Sequence, residues 1–215
     1  MTGTPTSRGT RPELPAVGSF LLLGVLAGVA AKVADESGWR WAADLGSYPA
    51  AWVLAVALIA RSAPSVATAA IRSAVFFAAM TVAYYTWAAA VLGFGWNSLL
   101  PVWLVLSGTA VAVFAAAVRW ADRRTGLGPG AVIAGAAGLP IAGGEFADLW
   151  HAAVGTPAGS GRLDPVQAAV DAVVAVVLVV VLPCSSRTRL WAVAFLVPAT
   201  VVAGTLLHVL RTVTG

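Results

Sequence analysis

The chain has 215 residues, of which 60% are hydrophobic and only 10% are charged. Soluble globular domains carry about 25% charged residues, so this composition and a mean hydropathy of +0.88 exclude an ordinary soluble domain. A formal net charge of +4 would also suit a nucleic-acid-binding protein. Its cations, however, follow a membrane topology, so we predict the lipid bilayer and no nucleic acid as the partner.

Seven apolar stretches rich in Ala, Val and Leu run along the chain. Roughly 20 apolar residues span the ~30 Å hydrocarbon core of a bilayer, and a helix satisfies its own backbone hydrogen bonds there. The sequence therefore predicts an all-α, polytopic bundle of about seven transmembrane helices in one domain, residues 13–215, after a disordered tail, residues 1–12. The predicted spans are about 15–34, 47–62, 66–93, 97–118, 127–150, 165–184 and 188–210.

The cations predict the orientation of the bundle. Nine of the 13 Lys and Arg residues fall in the N-terminal tail, in the loops after the second, fourth and sixth stretches, or early in the third. Because cytoplasmic loops carry an excess of cations, we expect a multi-pass protein of the cell membrane with a cytoplasmic N-terminus and an outside C-terminus. The first stretch also resembles a signal peptide, and we interpret it as a true helix. The nine cations are Arg8, Arg11, Arg61, Arg72, Arg119, Arg123, Arg124, Arg187 and Arg189.

The acidic residues show the opposite distribution. Seven of the nine fall towards the outer end, although acidic residues contribute little to topology, and this asymmetry indicates a site. Some have structural alternatives: Asp164 precedes Pro165 as a helix cap would, Asp44 suits a solvated loop, and Asp35 could pair with Lys32 one turn earlier. The seven are Asp35, Glu36, Asp44, Glu145, Asp148, Asp164 and Asp171.

Asp171 is the acid that is hardest to explain as a surface residue. It lies about six residues inside the sixth predicted helix, roughly 9 Å from its start, where an ionisable group usually faces a cavity or a partner. Glu145 and Asp148 share a helix face, which either ends in water or lines a pocket. We predict Asp171 as the leading proton donor, with Glu36 and Glu145 next. The full set of predicted catalytic carboxyls is Asp171, Glu36, Glu145, Asp44, Asp35 and Asp148.

The chain is also rich in aromatic residues, with nine Trp, seven Phe and three Tyr. Trp and Tyr form belts at membrane surfaces, which explains some of them. Others are placed within the outer leaflet, and Asp44, Tyr48 and Trp52 would share one face if the second helix reached back to Asp44. The residues predicted to bind substrate are Tyr48, Trp52, Tyr84, Tyr85, Trp87 and Trp103.

Buried acids surrounded by aromatic rings suit the cyclisation of a polyene. A carboxylic acid kept neutral by burial can protonate an alkene or epoxide. Aromatic faces then stabilise the carbocation, by up to ~2 kcal/mol per desolvated contact, and exclude the water that would quench it. A lipid-embedded site also suits a prenylated substrate that arrives from the membrane.

A small chain with seven predicted helices, membrane-buried acids and abundant Trp resembles the integral-membrane meroterpenoid cyclases. These include fungal enzymes and the actinobacterial drimentine-type cyclases that act on prenylated indoles. The segment KVADESGWRWAADLGSYPAAWVLAVALIARSAP, residues 32–64, is also similar to actinobacterial membrane proteins. The resemblance implies a metal-free class II terpene cyclase that isomerises a farnesylated or similarly prenylated aromatic compound such as an indole.

No other chemistry has comparable support in the sequence. Cys184 is the only cysteine, and His151 and His208 form no metal-binding pair, so we predict neither a metal nor a cofactor. The alternative function is a non-catalytic transporter, channel or structural membrane protein. A proton or cation path needs polar groups through the full membrane thickness, whereas the inner half of this chain is nearly free of acids.

Overall fold

The computed structural model describes residues 13–39, 42, 48–143, 145, 146, 149, 153–155 and 165–214. The regular structure within these residues is entirely helical, as the sequence predicts, and the predicted tail, residues 1–12, lies outside them. Two helices each contain one turn of π-helix, at Trp87–Val91 and Ser107–Val111. The seven helices are α1 (Glu13–Glu36), α2 (Pro49–Ser62), α3 (Val66–Val91), α4 (Leu100–Asp122), α5 (Leu127–Ile141), α6 (Pro165–Val181) and α7 (Ser186–Thr214).

Among the residues that the structure describes, four helices are long and apolar enough to cross a membrane: α1, α3, α4 and α7. The other three have 14, 15 and 17 residues, or about 21 to 26 Å at 1.5 Å per residue, which is short of a ~30 Å hydrocarbon core. Large apolar side chains cover the outer faces of the long helices; Leu22 is 59% exposed and Val197 is 73% exposed. These features identify a membrane protein with four candidate spans, and the seven-span topology stays a prediction.

The predicted fifth span, residues 127–150, is wrong at its C-terminal end, because α5 stops at Ile141. Pro140 lies in the last turn, the Ala142 amide donates to the Gly138 carbonyl, and the Gly143 amide donates to the Pro140 carbonyl. These bonds close the helix in a turn. The other six predicted stretches agree with their helices to within four residues at each end.

The second predicted span starts two residues too early, because α2 begins at Pro49 and Tyr48 is its extended N-cap, with φ −78° and ψ 112°. A proline forces the preceding residue out of the helical region, so the chain cannot continue a helix back through Tyr48. The predicted helix face shared by Asp44, Tyr48 and Trp52 therefore does not exist. Asp44 itself lies outside the described residues.

Helices α1 and α3 pack so closely that two glycines of α1 touch backbone. A Cβ atom added at Gly24 would lie 2.2 Å from the carbonyl oxygen of Phe76, and one added at Gly28 would lie 2.2 Å from that of Met80. The step from Gly24 to Gly28 on α1 matches the step from Phe76 to Met80 on α3, so the two helices run in the same direction. Small residues allow this approach in membrane proteins, where lipid gives helices no hydrophobic reason to associate.

A second pair of parallel helices, α5 and α7, also packs closely through glycines. A Cβ atom added at Gly130 would lie 2.5 Å from the Cβ of Trp191, and one added at Gly138 would lie 2.9 Å from the Thr200 amide nitrogen. Between the two pairs lies a core of small and branched side chains from α2, α4, α5 and α6. Ala57, for example, is buried there with Leu178 and other residues.

A buried arginine joins helix ends on the side of the bundle that the sequence predicts to be cytoplasmic. Arg119, near the end of α4, is 2% exposed; it pairs with Asp122 at 3.0 Å and donates to the Arg61 carbonyl at the end of α2. Arg61 in turn donates to the carbonyl of Val181, the last residue of α6. We call this the basic end.

Candidate functional site

The end of the bundle opposite Arg119 gathers carboxyl groups from several helices. The Tyr84 hydroxyl, near the end of α3, donates to Asp35 at the end of α1 over 2.7 Å. The Tyr48 hydroxyl, just before α2, donates to the Gln167 carbonyl in the first turns of α6 over 2.5 Å. We call this the acidic end; its described carboxyls are Asp35, Glu36, Glu145 and Asp171.

Lys32 organises the α1 side of the acidic end. Its ammonium pairs with Glu36 one turn later and lies 5.2 Å from the centre of the Tyr84 ring and 5.0 Å from that of the Phe94 ring. Lys32 is only 8% exposed, so these contacts are largely desolvated. The structural alternative in which Asp35 pairs with Lys32 is therefore not what the described residues show, since Lys32 bonds to Glu36 and Asp35 accepts from Tyr84.

The Lys32 ammonium lies in a cavity of about 440 Å³ between α1, α3 and the loop before α4. Aromatic rings form much of its wall, and the amide of Asn97 and the hydroxyl of Ser98 add polar groups. We call this cavity the aromatic box. Its described lining is Lys32, Tyr84, Tyr85, Ala88, Phe94, Gly95, Trp96, Asn97 and Ser98.

A continuous row of rings leads from the box into the bundle. Tyr84 packs edge-on against Tyr85, with ring centroids 5.3 Å apart, and Tyr85 lies beside Trp103. Trp103 stacks on Trp52 at 6.4 Å, and Trp52 stacks on Phe77 at 5.1 Å. We call these five residues the aromatic row. It brings together four of the six aromatic residues that the sequence predicts to bind substrate.

A second cavity, of about 230 Å³, lies along the inner part of the aromatic row. Alanines of α1 and α2 form one side of it, and Trp52, Phe76, Phe77 and Met80 form the other. We call it the apolar groove. It is one helical turn from the box, because Met80 precedes Tyr84 by four residues on α3.

Asp171 lies apart from both cavities. It is 1% exposed, and neither carboxyl oxygen has a hydrogen-bond partner within the part of the chain that the structure describes. Tyr48 and Glu145 are its polar neighbours, but the Tyr48 hydroxyl bonds to the Gln167 carbonyl instead. An uncompensated buried carboxylate is costly, which favours a neutral acid at this position.

The predicted site residues thus fall into two groups at one end of the bundle. Asp35 and Glu36 stand with Tyr84 and Tyr85 on the α1–α3 side, while Glu145 and Asp171 stand with Tyr48 on the α2–α6 side. The expected single cavity is therefore not what the geometry shows. Asp148 lies outside the described residues, as do His151 and Asp164.

Two predicted residues have weaker links to the cavities than expected. The Glu36 side chain is 42% exposed and bonds to Lys32 at the surface. Trp87 is half-buried in the π-helical turn of α3 and does not belong to the lining of the box or the groove. Glu145 does not lie on α5 as the sequence predicts, because α5 ends at Ile141, four residues earlier.

Sequence reasoning missed the residues that complete the box. Phe94 and Trp96 lie in the loop before α4, where Gly93 and Gly95 adopt positive φ values of 72° and 79°. The motif GFGW carries a usable signal, since alternating glycines let a loop turn back on itself and present the rings between them. Lys32 was treated only as a partner for an acid.

Within the described residues, no group of three or more His, Cys, Asp or Glu side chains could hold a metal ion. The chain matches no protein-family model, no curated protein sequence and no solved structure. The geometry of the acidic end is therefore the basis on which a function can be argued.

Proposed function

We propose that this protein is a membrane-bound terpene cyclase of the class II type, which protonates and cyclises a prenylated aromatic compound such as a farnesylated indole. One observation carries the proposal: a row of five aromatic rings runs beside an apolar groove and ends at a carboxyl that is hydrogen-bonded to the last ring. Protonation-initiated cyclisation needs a proton donor and cation-stabilising faces along one path, and this arrangement supports that proposal.

The two cavities suit the two parts of such a substrate. The apolar groove, lined by alanines, Met80 and aromatic rings, would hold the prenyl chain, whose burial contributes ~0.8 kcal/mol per CH₂. The aromatic box, one turn further along α3, would hold the aromatic head group against Asn97 and Ser98. Binding sites commonly combine apolar walls with a few polar groups in this way.

The reaction is an isomerisation. The acid transfers its proton to one carbon of an alkene, the π electrons form that C–H bond, and the neighbouring carbon becomes cationic. Another double bond attacks this cation and closes a ring. The carboxylate left by the first step takes a proton from the final cation, and the electrons of that C–H bond form a new double bond. The acid is thereby regenerated, and the product has the mass of the substrate. Each intermediate cation would lie against Trp52, Trp103 or Tyr85.

Asp35 is the acid that the geometry favours. Its carboxyl bonds to Tyr84, whose ring lines the box, whereas Asp171 is sealed inside the bundle beside Tyr48. Asp171 stays the alternative donor, because a neutral buried acid could deliver a proton if Tyr48 moved. We propose that no metal or other cofactor takes part. We also propose that the substrate has an uncharged aromatic head group and enters the site from the lipid bilayer.

We also propose the finer topology on which this function depends. Seven spans would place the N-terminus and the basic end in the cytoplasm, and the acidic end at the outer face of the cell membrane. The three short helices would cross the membrane with their ends below the level of the lipid headgroups. A bilayer that is locally thinner permits this at modest cost. The cavities would then open near the outer leaflet.

The test is production of the protein in a host supplied with prenylated indoles, with products read by mass spectrometry and NMR. The wild type should yield a new isomer of unchanged mass, and Asp35→Asn should lower its formation at least a hundredfold, since general acids contribute about 10²–10⁴. Asp171→Asn should keep more activity than Asp35→Asn. The opposite order would move the acid to Asp171.

Aromatic variants test the row itself. Trp52→Ala and Tyr85→Ala should yield prematurely quenched or monocyclic products as well as a lower rate. Trp120→Ala is the matched control, because Trp120 lies near the basic end, far from both cavities. The absence of any new isomer from every prenylated aromatic compound tested would overturn the proposal.

One observation favours the alternative of a non-catalytic transporter or binding protein. The box already holds the positive charge of Lys32, which would repel a carbocation formed beside it. Pairing with Glu36 offsets this repulsion. A protein that binds prenylated indoles but returns them unchanged would fit this alternative.

A further inference from the structure

We propose that the aromatic box is a binding site for an organic ammonium ion with an alkyl chain, and that the Lys32 side chain occupies it when no such ligand is bound. The inference goes beyond the proposed cyclase activity, because it concerns the reversible binding of a stable cation and needs no chemical step. It holds or fails by a binding measurement alone.

The contacts of Lys32 show that the box accommodates a positive charge. Its ammonium is within 5.2 Å of the centres of two rings, Tyr84 and Phe94, and a third ring, Trp96, lines the same space. A cation is attracted to an aromatic face within about 6 Å of the centroid, and several faces around one cation form the usual cage for quaternary ammonium groups. The cavity of about 440 Å³ leaves room beyond the lysine head.

The charges around the box also favour a cation. Asp35 bonds to Tyr84 and Glu36 bonds to Lys32, so two carboxyls border the cavity. Lys32 is the only cationic side chain in the described lining. When the Lys32 ammonium leaves, the aromatic faces remain, and a ligand cation takes its place against them.

Lys32 can leave the box without losing its ion pair. Its four-carbon stem is flexible, and the Glu36 side chain is 42% exposed, so the pair can swing together towards solvent. Lys32 therefore acts as a tethered competitor: it keeps the box filled and weakens every external cation that must displace it. Removing the lysine charge should strengthen binding.

The apolar groove identifies the rest of the ligand. Ala31 and Met80 line the groove, and Lys32 and Tyr84, one and four residues further on, line the box. A ligand whose charged head lies in the box can therefore extend an alkyl chain along α3 into the groove. The matching chemical class is an alkylammonium amphiphile.

The experiment is isothermal titration calorimetry on the full chain in uncharged maltoside micelles, which supply no competing ammonium groups. The probes are choline, its uncharged carbon analogue 3,3-dimethylbutanol, and hexyltrimethylammonium. Choline should bind about tenfold more tightly than 3,3-dimethylbutanol, as expected for a desolvated cation–π contact. Hexyltrimethylammonium should bind more tightly than choline because its chain reaches the groove.

Variants separate this site from other cation–π contacts. Lys32→Met should raise the choline affinity about tenfold, and Phe94→Leu should lower it about fivefold. Trp120→Leu is the control, because the Trp120 ring also carries a cation, Arg124 at 5.7 Å, but lies outside the box; it should change nothing.

Two results would overturn the proposal: equal affinities for choline and 3,3-dimethylbutanol, or a Lys32→Met protein that binds choline no better than the wild type. If Lys32→Met does not fold, Phe94→Leu decides, because Phe94 is 63% exposed in a loop and its loss should leave the bundle intact. An unchanged choline affinity of the Phe94→Leu protein would then overturn the proposal.

Discussion

Replacing Gly28 by alanine should separate α1 from α3 and disturb the acidic end, because Gly28 lies against the backbone of Met80, whose side chain lines the apolar groove. The added Cβ would lie 2.2 Å from the Met80 carbonyl oxygen. Closest carbon–oxygen contacts at helix interfaces are about 3.3 Å, so the helices must move apart by about 1 Å. Backbone atoms cannot rotate out of the way as a flexible side chain can.

The expected loss of stability follows from the packing contacts that this separation of the helices weakens. A radial gap of 0.5–1 Å forfeits about a quarter to a half of each dispersion contact, and overpacking typically costs about 1–3 kcal/mol. For a chain of this length, 1 kcal/mol lowers the melting temperature by roughly 2–4 °C, so Gly28→Ala should lower it by about 2–12 °C. The loss should extend to the Tyr84–Asp35 hydrogen bond one turn further on.

The assay is thermal denaturation in maltoside micelles, with Gly18→Ala as the matched control. Gly18 lies on the same helix, but a Cβ atom added there meets nothing within 4 Å. Because alanine favours a helix over glycine by about 1 kcal/mol, the control should be neutral or slightly more stable. Equal melting temperatures for Gly28→Ala and Gly18→Ala would refute the close backbone packing of α1 on α3.

Three further predictions concern other parts of the bundle. Arg119→Ala should destabilise the protein by about 2–3 kcal/mol in the same assay, because Asp122, at 12% exposure, loses its buried partner and keeps only the exposed Arg123 at 3.7 Å; a loss below about 1 kcal/mol would contradict this. Asp171→Leu should raise the melting temperature while lowering any function that needs the acid, since neither carboxyl oxygen has a hydrogen-bond partner among the described residues; a lower melting temperature would show a partner outside them. Cys184, an exposed free thiol at the basic end, should react with a membrane-impermeant maleimide in inverted vesicles only; labelling in intact cells would reverse the proposed orientation.

The hydrophobic pattern predicted the helices well because lipid leaves few alternatives for an apolar stretch. Six of the seven stretches agree closely with helices, and the failure in the fifth has a local cause, since Pro140 and Gly143 stop a helix whose apolar composition continues. The start of α2 was missed for a similar reason: Pro49 fixes the conformation of Tyr48, and hydropathy does not register it.

The candidate site was predictable only in its residue types and in its position along the helices. The distance of Asp35, Tyr84 and Trp52 from the ends of their apolar stretches puts them near one end of the bundle, but it does not say which helices are neighbours. Because α1 packs on α3 through glycines, Asp35 meets Tyr84, whereas Asp171 on α6 meets Tyr48 and Glu145. The division of the acids into two groups is a consequence of that packing.

Composition and pattern by themselves determined a helical membrane protein and predicted that most of its acids lie towards one end and most of its cations towards the other. Those properties depend on the transfer of side chains between water and lipid, which each residue undergoes on its own. The tertiary structure alone decided that Lys32 enters an aromatic box with Phe94, a loop residue 62 positions away. Such a contact depends on which helices approach closely and on how a glycine-containing loop folds back, and neither is encoded in the local sequence around either residue.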